Sequence, residues 1–297
     1  MAFRTILIEK ALSIRLDLNN LLINYENNKY WIDIDEIATL IVEDPRCMVS
    51  LTLLSYLCEK GVNVLFTDSS HMPIGTLQTL ISNSRASKRI NNQIGWQKEV
   101  TEYLWTSIVE SKINNQINTL NKTKNKNKVK MIESLRDSLE LGDYQNREGT
   151  VSRIYFKELY GNEFKRFNED LTNYALNYIY QIIRSKISQE IVASGYIPSI
   201  GIHHKSELNQ FNLADDLIEP LRPICDYYVY QILEKYEEDY LLPEIKHQLI
   251  DILNKRIKYN NQTYKIHTLM QFYVQNMLSF LDIGDIGKVI FPELDEK

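Results

Sequence analysis

The chain has 297 residues, 44% hydrophobic and 25% charged, with a formal net charge of −5 and three scattered cysteines, Cys47, Cys58 and Cys225. This is the composition of an ordinary globular protein, with enough length to bury one large core or two modest ones. It excludes a disulfide framework and a zinc ribbon, since no Cys-x-x-Cys pair exists, and no apolar run approaches the roughly 20 residues of a membrane span. The start of the chain lacks the apolar centre of a signal peptide, so a reducing, cytoplasmic setting is expected. The acidic balance weighs mildly against nucleic acid, which is held by clustered Lys and Arg, but net charge does not describe a local groove.

The first eighty residues read mostly as β. Leu12, Ile14, Leu16 and Leu18 alternate with Ser13, Arg15 and Asp17, the pattern of a half-buried strand. Further strands are predicted at 3–8, 21–25, 30–34, 37–42 and 62–66. Asn19-Asn20 and Asn27-Asn28 supply hairpin turns, because Asn tolerates positive φ. One helix interrupts them at 50–59, with Gly61 as its left-handed stop. From about residue 86 the period becomes helical. Ile94, Val100, Leu104, Ile108 and Ile113 mark a helix over 94–117. A second, over 170–194, carries Ala175, Ile179, Ile182, Ile183, Ile187 and Ile191 on one stripe, and Gly195 ends it. Helices follow at 223–236, 243–259 and 267–281, the first two with Pro in the first turn. The segment 121–130, NKTKNKNKVK, reads as a solvated connection between helices rather than a DNA contact, despite its five lysines. The expected fold class is therefore α+β. A small N-terminal β-sandwich-like domain (1–80) is joined across 77–88 to a larger all-α domain (88–297).

Three stretches could carry chemistry: Asn146-Arg147-Glu148-Gly149 with Ser152-Arg153-Ile154-Tyr155-Phe156 after it; Gly201-Ile202-His203-His204; and the run from Asn212 through Asp215, Asp216, Glu219 and Pro220 to Arg222-Pro223. Asn212 is a plausible helix N-cap. Asp216 and Glu219 share a helix face and repel unless a cation or an arginine stands between them. Pro220 kinks the segment that carries them. The competing reading is an exposed acidic helix end with Arg222 paired to one carboxylate. Spacing does not choose between His203 and His204, and Glu148 early in a helix is favoured by the macrodipole without any metal. Taken together, two carboxylates and one imidazole form a mixed oxygen and nitrogen set. Such a set suits Mg²⁺ or Mn²⁺ better than zinc.

In this order, Arg-Glu-Gly with Arg-x-Tyr-Phe, Gly-x-x-His and Asp-x-x-Glu-Pro-x-Arg-Pro resemble the Cas-one family, the integrase of CRISPR adaptation. Gly61-Val62-x-Val64-x-Phe66-x-Asp68 and the helix bearing Asn173, Tyr178 and Tyr180 extend the likeness over most of the chain. The stretch from Asn146 to Pro223 is similar to the version found beside single-protein RNA-guided effectors (type II). The resemblance implies an N-terminal domain for dimerisation and partner contact, and a helical catalytic domain. It makes Glu148, His204 and Glu219 the catalytic residues and ligands of Mg²⁺ or Mn²⁺. Asp216 becomes a further ligand or a supporting partner, and Arg147, Arg153 and Arg222 orient carboxylates or hold phosphates. It further implies joining of 3′-hydroxyl ends of short DNA fragments into a repeat array, alongside endonuclease activity. The implied partners are double-stranded DNA, a homodimer and a small ferredoxin-like Cas-two dimer bridging two such dimers. An RNA-guided effector nuclease and an accessory DNA-end-binding protein complete that set; no membrane is implied. The competing functions are a metal-dependent repair nuclease that does not integrate, and a non-catalytic DNA-binding scaffold.

Overall fold

Short apolar strands, one of them (Ile37–Val42) buried at every position, build two four-stranded sheets in the first of two units, Met1–Ser84. The computed structural model describes residues 4–79, 83–123, 126–284 and 289–294. Strands β1 (Arg4–Ile8), β2 (Ser13–Asp17), β3 (Asn20–Tyr25), β4 (Asn28–Asp33), β5 (Ile37–Val42) and β6 (Met48–Val49) precede helix α1 (Leu51–Glu59). Strands β7 (Asn63–Thr67) and β8 (Pro73–Leu77) follow it. One sheet has the order β1-β5-β7-β8, parallel except for its last pair; the other runs β4-β3-β2-β6. Ile14, Leu21 and Ile23 of one sheet share a core with Leu40, Val42 and Val64 of the other and with Leu53 and Leu57 of α1. This is the sandwich-like β region that the alternation predicts. Phe3, at the start of the first predicted strand, and part of the 77–88 junction lie outside the described residues. In the two hairpins it is Leu18 (φ 55°) and Glu26 (φ 51°), not the asparagines, that take the left-handed conformation. Register explains the difference: pairing of Asp17 with Asn20 and of Tyr25 with Asn28 makes Leu18 and Glu26 the first loop residues, where tight hairpin loops need positive φ. Gly61 behaves as predicted. It follows α1 at φ 66°, and the Val62 N–H returns to the Leu57 carbonyl.

The second unit, Arg85–Lys297, is mostly helical. It contains α2 (Ala86–Ile94), α3 (Lys98–Lys122), α4 (Val129–Asp137), α5 (Arg147–Tyr160), α6 (Leu171–Ala193), α7 (Asn212–Ile218), α8 (Arg222–Leu233), α9 (Pro243–Asp251) and α10 (Ile266–Ile283). Helix α6 matches its prediction at both ends: the Asp170 carboxylate accepts from the Asn173 N–H at 2.8 Å, and Gly195 turns the chain at φ 88°. The expected 94–117 helix is broken at Gly95, so α2 and α3 are separate. The helix expected over 243–259 stops at Asp251. A 3₁₀ turn at Ile252–Asn254 follows, then β9 (Arg256–Tyr259), paired with β10 (Gln262–Lys265), so this unit is not entirely α. The cause is Asn260-Asn261, both at positive φ (50° and 58°), the geometry of a two-residue hairpin turn. Of the lysine-rich 121–130 segment, the described parts end α3 and begin α4.

Helix α3 is buried on nearly every side and packs against α4, α5 and α8. One of its faces is polar: Lys112, Asn115, Gln116 and Thr119 recur at helical spacing and are all buried. Asn115 donates to the Pro220 carbonyl at 2.9 Å and Thr119 to the Pro223 carbonyl at 2.8 Å. The proline-bent segment between α7 and α8, a 3₁₀ turn at Glu219–Leu221, is therefore fastened to α3. A second buried knot joins α5, α6 and α8. Asp226 accepts hydrogen bonds from the Tyr155 hydroxyl at 3.0 Å and from the Tyr180 hydroxyl.

Burial pushes the Asp226 carboxyl up to about 6, although both tyrosine hydrogen bonds oppose the shift. Between about pH 4 and pH 6 the folded chain keeps a proton there that the unfolded chain has released, so its stabilisation is complete below that window and lost as pH rises through it. Asp226→Asn removes the titration. In urea unfolding, wild type should lose about 2 kcal/mol relative to the variant between pH 4 and pH 6.5; parallel curves would show that the carboxyl titrates normally.

Candidate active site

Glu148 and Glu219 stand on different elements and meet at one cation. Glu148 lies in the first turn of α5, which is capped twice. The Asn146 side chain accepts from the Gly149 N–H at 3.0 Å, and the Asp143 carboxylate accepts from the N–H groups of Arg147 (2.7 Å) and Glu148 (3.0 Å). With the backbone thus satisfied, the Glu148 side chain reaches the Lys112 ammonium of α3. The same ammonium lies 2.5 Å from Glu219 Oε2, while Arg222 Nε donates to Glu219 Oε1 at 2.8 Å. Lys112 is 6% exposed and Glu219 equally 6%. Burial alone would raise the Glu219 carboxyl, but the Lys112 and Arg222 charges outweigh it and hold the group at about 2. Glu219 is not the exposed helix end of the competing reading, although its pairing with Arg222 is present.

His204 is fixed by Asp216. The Asp216 carboxylate accepts from the N–H groups of Ile202 (2.7 Å), His203 (3.2 Å) and His204 (3.0 Å), and His204 Nδ1 lies 2.7 Å from it. All of this occurs at a fully buried carboxylate. The pairing raises the His204 pKa, against the opposing effect of burial, and leaves Nε2 as its other ring nitrogen. Gly201 is required for the loop to close: a Cβ there would lie 2.4 Å from the His204 carbonyl oxygen and 2.7 Å from Asp216 Oδ2. Asn212 is the first residue of α7 rather than its N-cap; its amide donates to the carbonyls of Ser199 and Ser206, which pins the same loop. His203 instead stacks on Trp105, with ring centroids 4.0 Å apart and planes at 7°. The two adjacent aspartates also separate. Asp216 supports the histidine, whereas Asp215 takes Asn209 at 2.8 Å and faces Arg222 (3.7 Å) and Arg184 (3.8 Å).

A cleft of about 270 Å³ opens beside the carboxylate pair, lined among others by Lys112, Glu148, Glu219, Arg166 and Arg222. A smaller one, about 130 Å³, adjoins it and brings Arg166, Arg184 and Arg222 together. Arg166 is held by neutral partners, Asn173 (2.9 Å) and Asn177 (2.8 Å), and lies over the Tyr180 ring. Arg147 and Arg153 line neither cleft; Arg153 is exposed on α5 and Arg147 bonds Gln145. Sequence reasoning missed Lys112, Asp143, Arg166, Arg184 and Trp105. The signal for Lys112 was present: a polar stripe at helical spacing inside an otherwise apolar helix. Among the described residues no three His, Cys, Asp or Glu side chains stand arranged around a vacant metal position. By donor type, two carboxylates and an imidazole suit a hard divalent cation. Two carboxylates already share one cation, and an imidazole whose other nitrogen is held by a carboxylate is the usual form of a metal-bound histidine.

Asp216→Ala leaves three loop N–H groups without their acceptor, and each buried orphan costs about 1–3 kcal/mol. The variant should melt at least about 5 °C lower, and NMR titration should place the His204 pKa below its wild-type value. An unchanged imidazole titration would show that Asp216 does not orient it.

The chain's similarities bear on this geometry. A family pattern described as CRISPR associated protein Cas1 matches residues 6–240. The chain is 33% identical over 295 residues, 99% of its length and 97% of the relative's, to the CRISPR-associated endonuclease Cas1 of Neisseria meningitidis serogroup C (strain 8013). Among solved structures, a casposase bound to integration product superposes with a TM-score of 0.75 at 18% identity, covering 99% of this chain and 93% of that one. A Cas6-RT-Cas1–Cas2 complex gives 0.78, also at 18% identity, over 98% of this chain and 36% of the longer one. With the family pattern covering most of its residues and a relative this similar from end to end, the chain belongs to the Cas1 family of CRISPR-associated endonucleases.

Proposed function

We propose that the chain is the integrase of CRISPR adaptation, joining the 3′-hydroxyl ends of short DNA fragments to a repeat array at the Glu148–His204–Glu219 site. The observation that carries this reading is the meeting of two glutamates from separate elements at one cation, beside a cleft lined with arginines. Glu148, Glu219 and His204 Nε2 would hold Mg²⁺ or Mn²⁺, which when bound supplies Lewis acidity toward a phosphodiester. Asp216 serves to orient His204, because both its oxygens are already engaged by backbone N–H groups and Nδ1. Arg166, Arg184 and Arg222 supply guanidinium donors for the non-bridging oxygens of the strand, a planar fork that suits phosphate. With a DNA 3′-hydroxyl as nucleophile, one phosphodiester is exchanged for another and no ATP is consumed; with water at the same site, the strand is cut.

Joining at both ends of a repeat needs two sites at a fixed separation, hence more than one copy of the chain. We assign to the first unit the dimer and partner contacts, supported by its exposed Leu12, Leu18, Met48 and Leu51. That one similar solved structure is a complex with Cas2 and another is bound to an integration product favours a Cas-two partner dimer and double-stranded DNA here. Part of the positive DNA path can then lie on the partner, which reconciles a chain of net charge −5 with a polyanionic substrate.

The test incubates protein, Cas-two partner, Mn²⁺ or Mg²⁺, a labelled fragment with free 3′-hydroxyls and a supercoiled repeat plasmid. Covalent joining is expected, falling at least about 100-fold in Glu148→Ala, His204→Ala and Glu219→Ala. Cutting without joining would make the chain a nuclease only, and full turnover in any of the three variants would remove that residue from the site. Arg166→Ala should weaken DNA binding equally for all sequences and reduce the salt-dependence slope by about one. An unchanged slope would place the phosphate path elsewhere.

A further inference from the structure

Lys112 comes from α3, outside both the histidine loop and the glutamate motifs, and it touches both glutamates. Its ammonium is buried and touches both Glu148 and Glu219, so it stands between the two carboxylates that the proposed metal would share. The remaining charge is balanced locally: Arg222 holds the other Glu219 oxygen, and Ser152 Oγ donates to Glu148 Oε1 at 3.0 Å. Two carboxylates brought this close, one buried and one half-buried, repel unless a cation lies between them. In the absence of metal that cation is the ammonium. A lysine suits such a post better than an arginine. Its charge is compact, its four-carbon stem is flexible, and the adjoining cleft of about 270 Å³, which Lys112 itself lines, gives the stem somewhere to move.

We propose that Lys112 is an internal counter-cation that holds Glu148 and Glu219 together without metal and is displaced from between them when a divalent ion binds. It thereby acts as a positioning residue and sets the metal affinity of the site. The inference rests on the metal-site reading given above. It has two consequences with opposite signs on two measurements. Removing the charge destabilises the metal-free protein, because the buried Glu219 and the half-buried Glu148 then face each other with only Arg222 to offset them. The same removal tightens metal binding, because the ion no longer competes with an ammonium.

The test uses the full chain stripped of metal with chelator, as wild type, Lys112→Met, Lys112→Arg and Glu219→Gln. Thermal melting without metal and Mn²⁺ binding by calorimetry are both measured. Lys112→Met should melt at least about 5 °C lower without metal and bind Mn²⁺ at least about tenfold more tightly. Lys112→Arg, which keeps the cation, should bind Mn²⁺ no more tightly than wild type. Equal or weaker Mn²⁺ binding by Lys112→Met, with binding still lost in Glu219→Gln, overturns the competition while leaving the metal site intact. Mn²⁺ binding that Glu219→Gln does not alter overturns the metal-site reading itself, and this proposal with it. Should Lys112→Met fail to fold, tighter Mn²⁺ binding by Lys112→Arg than by wild type is the contradicting result.

Discussion

A lysine ammonium buried between two glutamates is costly unless every charge there has a partner, and the helical unit is built around that requirement. Helix α3 supplies Lys112 from a buried polar face. Helix α5 presents Glu148 from a doubly capped first turn, and the proline-bent turn presents Glu219. Asn115 and Thr119 tie that turn to α3 through the Pro220 and Pro223 carbonyls, which fixes how far apart the two carboxylates can be. Buried ion groups of this kind add little net stability over an apolar core, but they impose one arrangement, since a displaced partner leaves a charge unpaired. The geometry of the site is therefore a consequence of packing around α3.

A separate device holds the imidazole. Asp216 spends its two oxygens on three successive N–H groups of the loop and on His204 Nδ1, so the loop shape and the ring orientation are one structure. Gly201 leaves room for it, and Trp105 takes His203 into a stack, so that the neighbouring histidines acquire different surroundings. Burial lowers the pKa of His203, whereas the Asp216 hydrogen bond raises that of His204. The site is thus assembled from one ionic anchor and one hydrogen-bonded loop, meeting at α7 and the turn that follows it.

Much of this fold was legible because it depends on local chemistry. Strict alternation over Leu12–Leu18 gave β2, and apolar stretches bounded by Asn-Asn turns gave its neighbours. Ser50 and Gly61 bounded α1, and Asp170 and Gly195 bounded α6. Errors arose where one local signal overrode another. The apolar period of α9 seemed to run on, but Asn260-Asn261 turned its end into a hairpin, and strand register moved positive φ from asparagine to Leu18 and Glu26. At the site, the motif residues could be named from sequence, yet their partners could not. Lys112 is 36 positions from Glu148, and Arg166 and Arg184 gain meaning only when α6 and α8 pack beside each other. Sequence spacing singled out Asp216 over Asp215, and as successive residues of α7 they point in different directions, Asp215 to the arginines and Asp216 to the histidine loop.

The central claim is that Glu148, His204 and Glu219 close on a single divalent ion. Diffraction from crystals soaked in Mn²⁺, recorded at the manganese absorption edge, examines it directly. One strong anomalous peak is expected, with His204 Nε2 and an oxygen of each glutamate within about 2.0–2.6 Å. A peak bound by other residues, or none at saturating Mn²⁺, would contradict it.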